Sequence, residues 1–142
     1  MGADNNVELV SFDDLFARSD VLSIHVPLTD LNRGGVTSRE LGLMKPTAFL
    51  VNTSSGPIVE EDALLSALCN EQIADATLDV YDLEPLPADS PFLALDTVLL
   101  SPHLGYSTER SFKNFFLESI KNLQAWLDGS PINVLNPEVL AD

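Results

Sequence analysis

Four short apolar runs constrain this chain more than any other feature. Val21 to Val26 (VLSIHV), Ala48 to Thr53 (AFLVNT), Ala76 to Val80 and Thr97 to Leu100 are rich in β-branched and aliphatic residues. Each is the length of a buried strand, and Pro27 stops the first outright. Helical spacing or turn chemistry fills the stretches between them. Strands that alternate with helices imply crossover connections, right-handed by rule, and a parallel sheet buried on both faces. The fold class expected is α/β: half of a doubly wound parallel sheet, about four parallel strands with flanking helices.

The helices announce themselves by their caps. Ser11 precedes Phe12, Leu15 and Phe16, with Asp14 three residues after it, as in a capped start. Thr37 followed by Glu40 is a second capping box, and Leu41 to Met44 are expected to form a short helix ended by Pro46. Asp62 to Cys69 is helical, with Leu64, Leu65 and Leu68 on one face. Residues 82–96 form a long Pro- and Asp-rich loop. Phe112, Phe115, Phe116, Ile120, Leu123 and Leu127 then repeat at helical spacing up to Gly129, which suits a helix C-cap. The tail, 130–142, reads as an extended strap rather than a packed element.

Composition narrows the function. The 142 residues predict one domain, and 45% apolar content is enough for a core. Net charge is −15, from 22 acidic residues against 7 basic ones, so nucleic acid and anionic membrane surfaces are not expected partners. An anionic dinucleotide can still bind, because backbone N–H groups and helix N-termini act locally. No run approaches the ~18 apolar residues of a membrane span. The polar opening Met1–Asn6 lacks the pattern of a signal peptide, and Asn6 stands where a myristoylation signal has Ser or Thr. The chain reads as soluble and cytoplasmic. Cys69, the only cysteine, lies in an apolar helical stretch and reads as a buried thiol.

In open parallel sheets ligands bind outside the carboxyl ends of the strands. Those ends read His25-Val26-Pro27, Asn52-Thr53-Ser54-Ser55-Gly56, Asp79-Val80-Tyr81 running on to Glu84-Pro85, and Ser101-Pro102-His103-Leu104-Gly105. Each residue also has a plain structural reading. His25 alone suits a hydrogen-bonded core histidine, Asp79 a turn cap, Glu84-Pro85 loop punctuation and Gly105 a turn glycine. Glu60-Glu61-Asp62 sits at a helix start, where carboxylates favour the dipole, and no residue set has metal-ligand spacing. His103 and Glu84 stand out as a pair. A carboxylate beside a histidine favours its protonated form, which suits a general acid near neutral pH.

At these same residues the chain resembles the D-isomer-specific 2-hydroxyacid dehydrogenases, the family of D-3-phosphoglycerate, formate and glycerate dehydrogenases. The matching stretches are residues 19–29 (SDVLSIHVPLT), 43–68 (LMKPTAFLVNTSSGPIVEEDALLSAL), 76–87 (ATLDVYDLEPLP) and 98–111 (VLLSPHLGYSTERS). They stand in family order and spacing, and the similarity runs on through residues 129–139. The resemblance implies the later half of a Rossmann-like NAD-binding domain over residues 1–129. The strap, 130–142, would return to a substrate domain absent from the chain. It also implies hydride transfer between a small 2-hydroxy or 2-keto acid and NAD, with NADP not excluded. His103 falls on the family's acid/base histidine and Glu84 on its carboxylate partner. Asp79 matches the aspartate near the nicotinamide, while His25, Pro27, Thr53, Ser54 and Gly105 match positions lining the cofactor.

Two departures from the family pattern bear on activity. The family's substrate-clamping arginine directly precedes the glycine of the NT-x-x-G stretch; here that position is Ser55. A hydroxyl cannot form a charged bidentate clamp, and charge-assisted hydrogen bonds are worth about 1.5–3 kcal/mol each. A loss on the order of a hundredfold in activity is expected. Arg33, Arg39 and Arg110 lie elsewhere in the motif frame. The second departure is the lack of any G-x-G-x-x-G, so dinucleotide affinity is expected to be weak. An unpaired edge on the VLSIHV strand would favour a homo-oligomer. The alternative reading is a non-catalytic binding or assembly module derived from the same family.

Overall fold

A computed structural model describes residues 7–140; the opening Met1–Asn6 and the last two residues of the tail lie outside the described residues. The chain packs as two units, which divide after Leu104. The first is a four-stranded sheet in the order β1-β2-β3-β4, formed by Val21–Ile24, Phe49–Asn52, Asp75–Leu78 and Val98–Leu100. Every neighbouring pair is parallel.

Register explains the core. Leu22, Leu50, Ala76 and Val98 lie in one row across the sheet; Ile24, Asn52, Leu78 and Leu100 form the next. Against these rows pack Phe16 of α1 (Phe12–Arg18), Leu41 of α2 (Ser38–Leu41), and Leu64 and Leu68 of α3 (Glu61–Cys69). Among the described residues twenty buried apolar side chains make up the core, and at roughly 1.5–3 kcal/mol for each large one they supply the main driving force.

The expectation of a sheet buried on both faces is overturned. Val21 and Phe49 are exposed, and burial along β1 and β2 alternates. Helices α1, α2 and α3 all contribute to one core together with Leu22, Ile24, Leu50, Ala76 and Leu78 of the strands.

The caps behave as their sequences predict. Ser11 Oγ accepts the Asp14 N–H at 3.1 Å. Thr37 and Glu40 form a reciprocal capping box. The helix they start occupies Ser38–Leu41, one turn earlier than the apolar run 41–44 suggests, because the cap sets the start and Gly42 ends it. Burial of Cys69 is also corrected. It is the exposed last residue of α3, whose buried face is Ala63, Leu64, Ala67 and Leu68.

The second unit contains α4, Glu109–Leu127, capped by Thr108 through the Ser111 N–H. Its end is a Schellman motif: Gly129 at φ +74° lets its N–H reach the Trp126 carbonyl while Ser130 N–H reaches Ala125. No residue of α4 is buried. Asn133 Nδ2 donates to Asn122 Oδ1 at 2.9 Å, and Pro137–Leu140 is a 3-10 turn. No described helix is long and apolar enough to cross a membrane.

Candidate active site

A parallel sheet brings all its carboxyl ends to one edge, and there the chemistry-bearing residues of the first unit collect. The β1 end carries His25 and Pro27, both exposed. His25 Nε2 lies 2.8 Å from Ser23 Oγ. The core-histidine reading of His25 is thereby corrected: β1 alternates, and position 25 falls just past the strand with its ring outside the core. An apolar groove of about 170 Å³ runs beside it, lined by Phe12, Leu15, Ile24 and Val36 among others.

The β2 end is shaped by Asn52, only 1% exposed. Its amide donates to the Ser55 carbonyl at 3.0 Å and accepts the Ser54 N–H at 3.1 Å. Both ends of a buried polar side chain are thus used to close the turn holding Thr53, Ser54 and Ser55. Ser54 Oγ also donates to the Val26 carbonyl, tying this turn to the β1 end.

The β3 end leads into the turn that bears Glu84, through a Glu84–Pro85 peptide bond that is cis. Asp79 is buried, and its Oδ1 accepts the Leu104 N–H at 2.8 Å, so its plain role as a turn cap is real. Tyr81 drops its ring into the core and donates its hydroxyl to the carbonyls of Leu78 and Ser101, at 3.0 and 2.9 Å. Burial holds that phenol above its ordinary pKa. Together Asp79 and Tyr81 bind the ends of β3 and β4 to each other.

That clasp presents His103. Its backbone adopts φ +56°, a left-handed conformation that costs a non-glycine residue on the order of 1–2 kcal/mol and persists where surrounding contacts enforce it. The imidazole Nδ1 then lies 2.7 Å from Glu84 Oε2. Glu84 Oε1 meanwhile accepts the Tyr81 N–H at 3.0 Å. The hydrogen bond to Glu84 raises the His103 pKa; the negative charges of Glu84 and Asp79 add to it and partial desolvation opposes it. The bond to His103, helped by the Tyr81 N–H, lowers that of Glu84. A pocket of about 370 Å³ opens over the pair, walled by Tyr81, Pro85, Leu86 and Pro102.

The fold therefore brings His103, Glu84 and Asp79 together. Ser55 sits in the neighbouring β2 turn, His25 and Pro27 are further along the edge, and Gly105 belongs to the second unit. The sequence places Asn52, Gly56 and Tyr81 at the strand ends and Glu61 at a helix start, but assigns none of them a part in the site. A polar Asn at the end of an apolar strand was the one signal available; the others act through contacts between distant segments.

Comparison with known proteins decides the family. The model of the D-isomer specific 2-hydroxyacid dehydrogenase NAD-binding domain matches residues 2–105. This chain belongs to that family. It is 43% identical over 134 residues to a glyoxylate reductase of Aeropyrum pernix and 40% identical over 136 residues to one of Thermofilum pendens. These alignments cover 94% and 95% of this chain but 40% of each relative, so the chain spans about two fifths of the length of the relatives it matches. Among solved structures, an oxidoreductase from Ralstonia solanacearum superposes with a TM-score of 0.88 at 36% identity, over 99% of this chain and 41% of that one. The family of the chain and its α/β, Rossmann-like parallel sheet are thus as the sequence implied.

Proposed function

We propose that this chain supplies the acid/base half of an NAD-linked D-2-hydroxyacid dehydrogenase active site, acting on a small 2-hydroxy or 2-keto acid. The observation that carries the reading is the 2.7 Å contact between His103 Nδ1 and Glu84 Oε2 at the carboxyl edge of the sheet. With Nδ1 held by Glu84, Nε2 is the ring nitrogen that hands a proton to a substrate keto oxygen, or takes one from a hydroxyl in the reverse direction. Glu84 keeps the ring oriented and favours its protonated form.

The residues present fit one end of the cofactor. Thr53 offers a hydroxyl, Ser54 an acceptor oxygen whose own proton goes to Val26, His25 and Pro27 flank them, and Asp79 offers a buried carboxylate; Gly105 follows the same loop in sequence. Such a set suits a ribose and a carboxamide. A nicotinamide dinucleotide bound there would supply the hydride. The functional division we propose is 1–129 as the nucleotide-binding part and 130–142 as a strap returning to a substrate domain. NAD and NADP remain alternatives: the family model is named for NAD, while an acyclic imino acid reductase of TM-score 0.81 was solved with NADPH.

Ser55 favours a second reading, a binding or assembly module that has given up catalysis, because it stands where the family's arginine would hold the substrate carboxylate. Titration of the 142-residue chain with NADH, followed by nicotinamide fluorescence, separates the two. Saturable binding, even at millimolar concentration, supports a formed half-site. No binding by a chain shown to be folded by circular dichroism supports the non-catalytic module.

A further inference from the structure

The turn that carries Glu84 has its back against the connection between β2 and α3. A Cβ added to Gly56 would stand 2.1 Å from the carbonyl carbon of Tyr81 and 2.6 Å from the nitrogen of Asp82. Two backbones touch there, and only a residue without a side chain lets them. Five residues later Glu61 reaches back, its Oε1 accepting the Asp82 N–H at 3.1 Å. Inside the same turn the Tyr81 N–H holds Glu84 Oε1, and the other oxygen of Glu84 meets His103.

From these contacts we infer that Gly56 and Glu61 are positioning residues, which set the Glu84 carboxylate against His103 by seating the 81–84 turn on the β2–α3 connection. The inference rests on the reading of His103 and Glu84 as the acid/base pair. Its physical basis is the exposure of the turn. Glu84 is about one third exposed and Leu83 is 64% exposed, so few packing contacts within the turn fix its place, and the Gly56 and Glu61 contacts add to its own hydrogen bond. A misplacement of about 1 Å at a reacting centre can cost on the order of a hundredfold in rate. A purely helical role for Glu61, complementing the α3 dipole, would be shared with Asp62 in the same first turn and needs no bond to Asp82.

The test is an NMR titration of the two imidazoles, His25 and His103, in the 142-residue chain. Glu84 and Asp79 are charged groups that bear on His103. Glu84→Gln sets the scale by lowering the His103 pKa toward the ordinary imidazole value. Glu61→Ala is expected to produce at least half of that drop and to leave His25 and the circular dichroism spectrum unchanged. Glu61→Gln removes the same charge but keeps the acceptor for Asp82, and is expected to titrate as the parent does. Gly56→Ala is expected to act like Glu61→Ala; should it not fold, the two Glu61 variants decide. The inference is overturned if His103 in Glu61→Ala titrates as in the parent while Glu84→Gln lowers it, or if Glu61→Gln and Glu61→Ala shift it equally. Should Glu84→Gln itself leave His103 unmoved, the pair fails as an acid/base centre, and the positioning role falls with it.

Discussion

Glu84 Oε2 lies 2.7 Å from His103 Nδ1, nineteen residues further along the chain, and each group changes the proton affinity of the other. Their linkage to stability has opposite signs. Because the His103 pKa is raised, its contribution is fully present below the ordinary 6.5 and is lost as pH rises through the folded value. Because that of Glu84 is lowered, its contribution is present above the ordinary 4.5 and is lost as pH falls through the folded value. Glu84→Gln should therefore destabilise most between those two pH values, by about 0.2–1 kcal/mol for so exposed a pair. Urea denaturation of parent and variant inside that window and on either side of it checks the shape of the difference.

The turn closed by Asn52 should be sensitive to its amide. Asn52→Leu keeps the volume but strands the Ser54 N–H and the Ser55 carbonyl next to the core. A loss of about 1–3 kcal/mol is expected, since buried groups left without partners bear their full desolvation cost. Chemical denaturation measures it directly, and a loss no larger than that of a surface substitution would show that water satisfies both groups.

Acid should dismantle the second cap before the core gives way. The Thr37 hydroxyl, then the Arg39 guanidinium, hold the Glu40 pKa down at about 2, so its contribution is present above 4.5 and is lost as pH falls toward that value. Thr37→Ala is expected to cost about 0.5–2 kcal/mol at neutral pH and to flatten the acid limb of the stability curve. An unchanged acid limb would place the acid sensitivity elsewhere.

Ser55→Arg addresses the missing clamp. In a chimera that joins this chain to the remaining segments of the Thermofilum pendens relative, the substitution should raise kcat/KM for keto-acid reduction by about a hundredfold or more. Ser55→Lys should recover less, because an ammonium lacks the planar fork that pairs with a carboxylate. Equal gains from both would point to simple charge rather than bidentate binding.

Self-association through the β1 edge is an expected outcome. Among the described residues its only strand partner is β2, and Val21 is 61% exposed. Light scattering on the 142-residue chain should show a mass that rises with concentration. A constant monomer mass would mean that the edge is protected.

Strands were the most legible part of the fold, because VLSIHV and AFLVNT combine β-branched residues with clear stops at Pro27 and Gly56. Caps were nearly as clear, since Ser11, Thr37 and Gly129 act on backbone groups within a few residues. The early start of α2 shows a cap prevailing over an apolar run. His25 and Cys69 were read as buried from apolar neighbours in sequence. Exposure there depends on which face a helix or strand end turns outward, and a single apolar run does not specify it.

The sequence by itself determined the four parallel strands, the residues delivered to the carboxyl edge and, through its motifs, the family. Those properties come from short-range preferences and from the rule that parallel strands end together. Tertiary structure alone decided that β1 and β2 alternate buried residues with less buried ones, that His103 takes a left-handed backbone, and that Gly56 and Glu61 seat the turn bearing Glu84. Each of these depends on contacts between segments about twenty or more residues apart, such as Glu61 with Asp82 and Asp79 with Leu104. Such contacts exist only once the core has packed, and no local propensity encodes their distance.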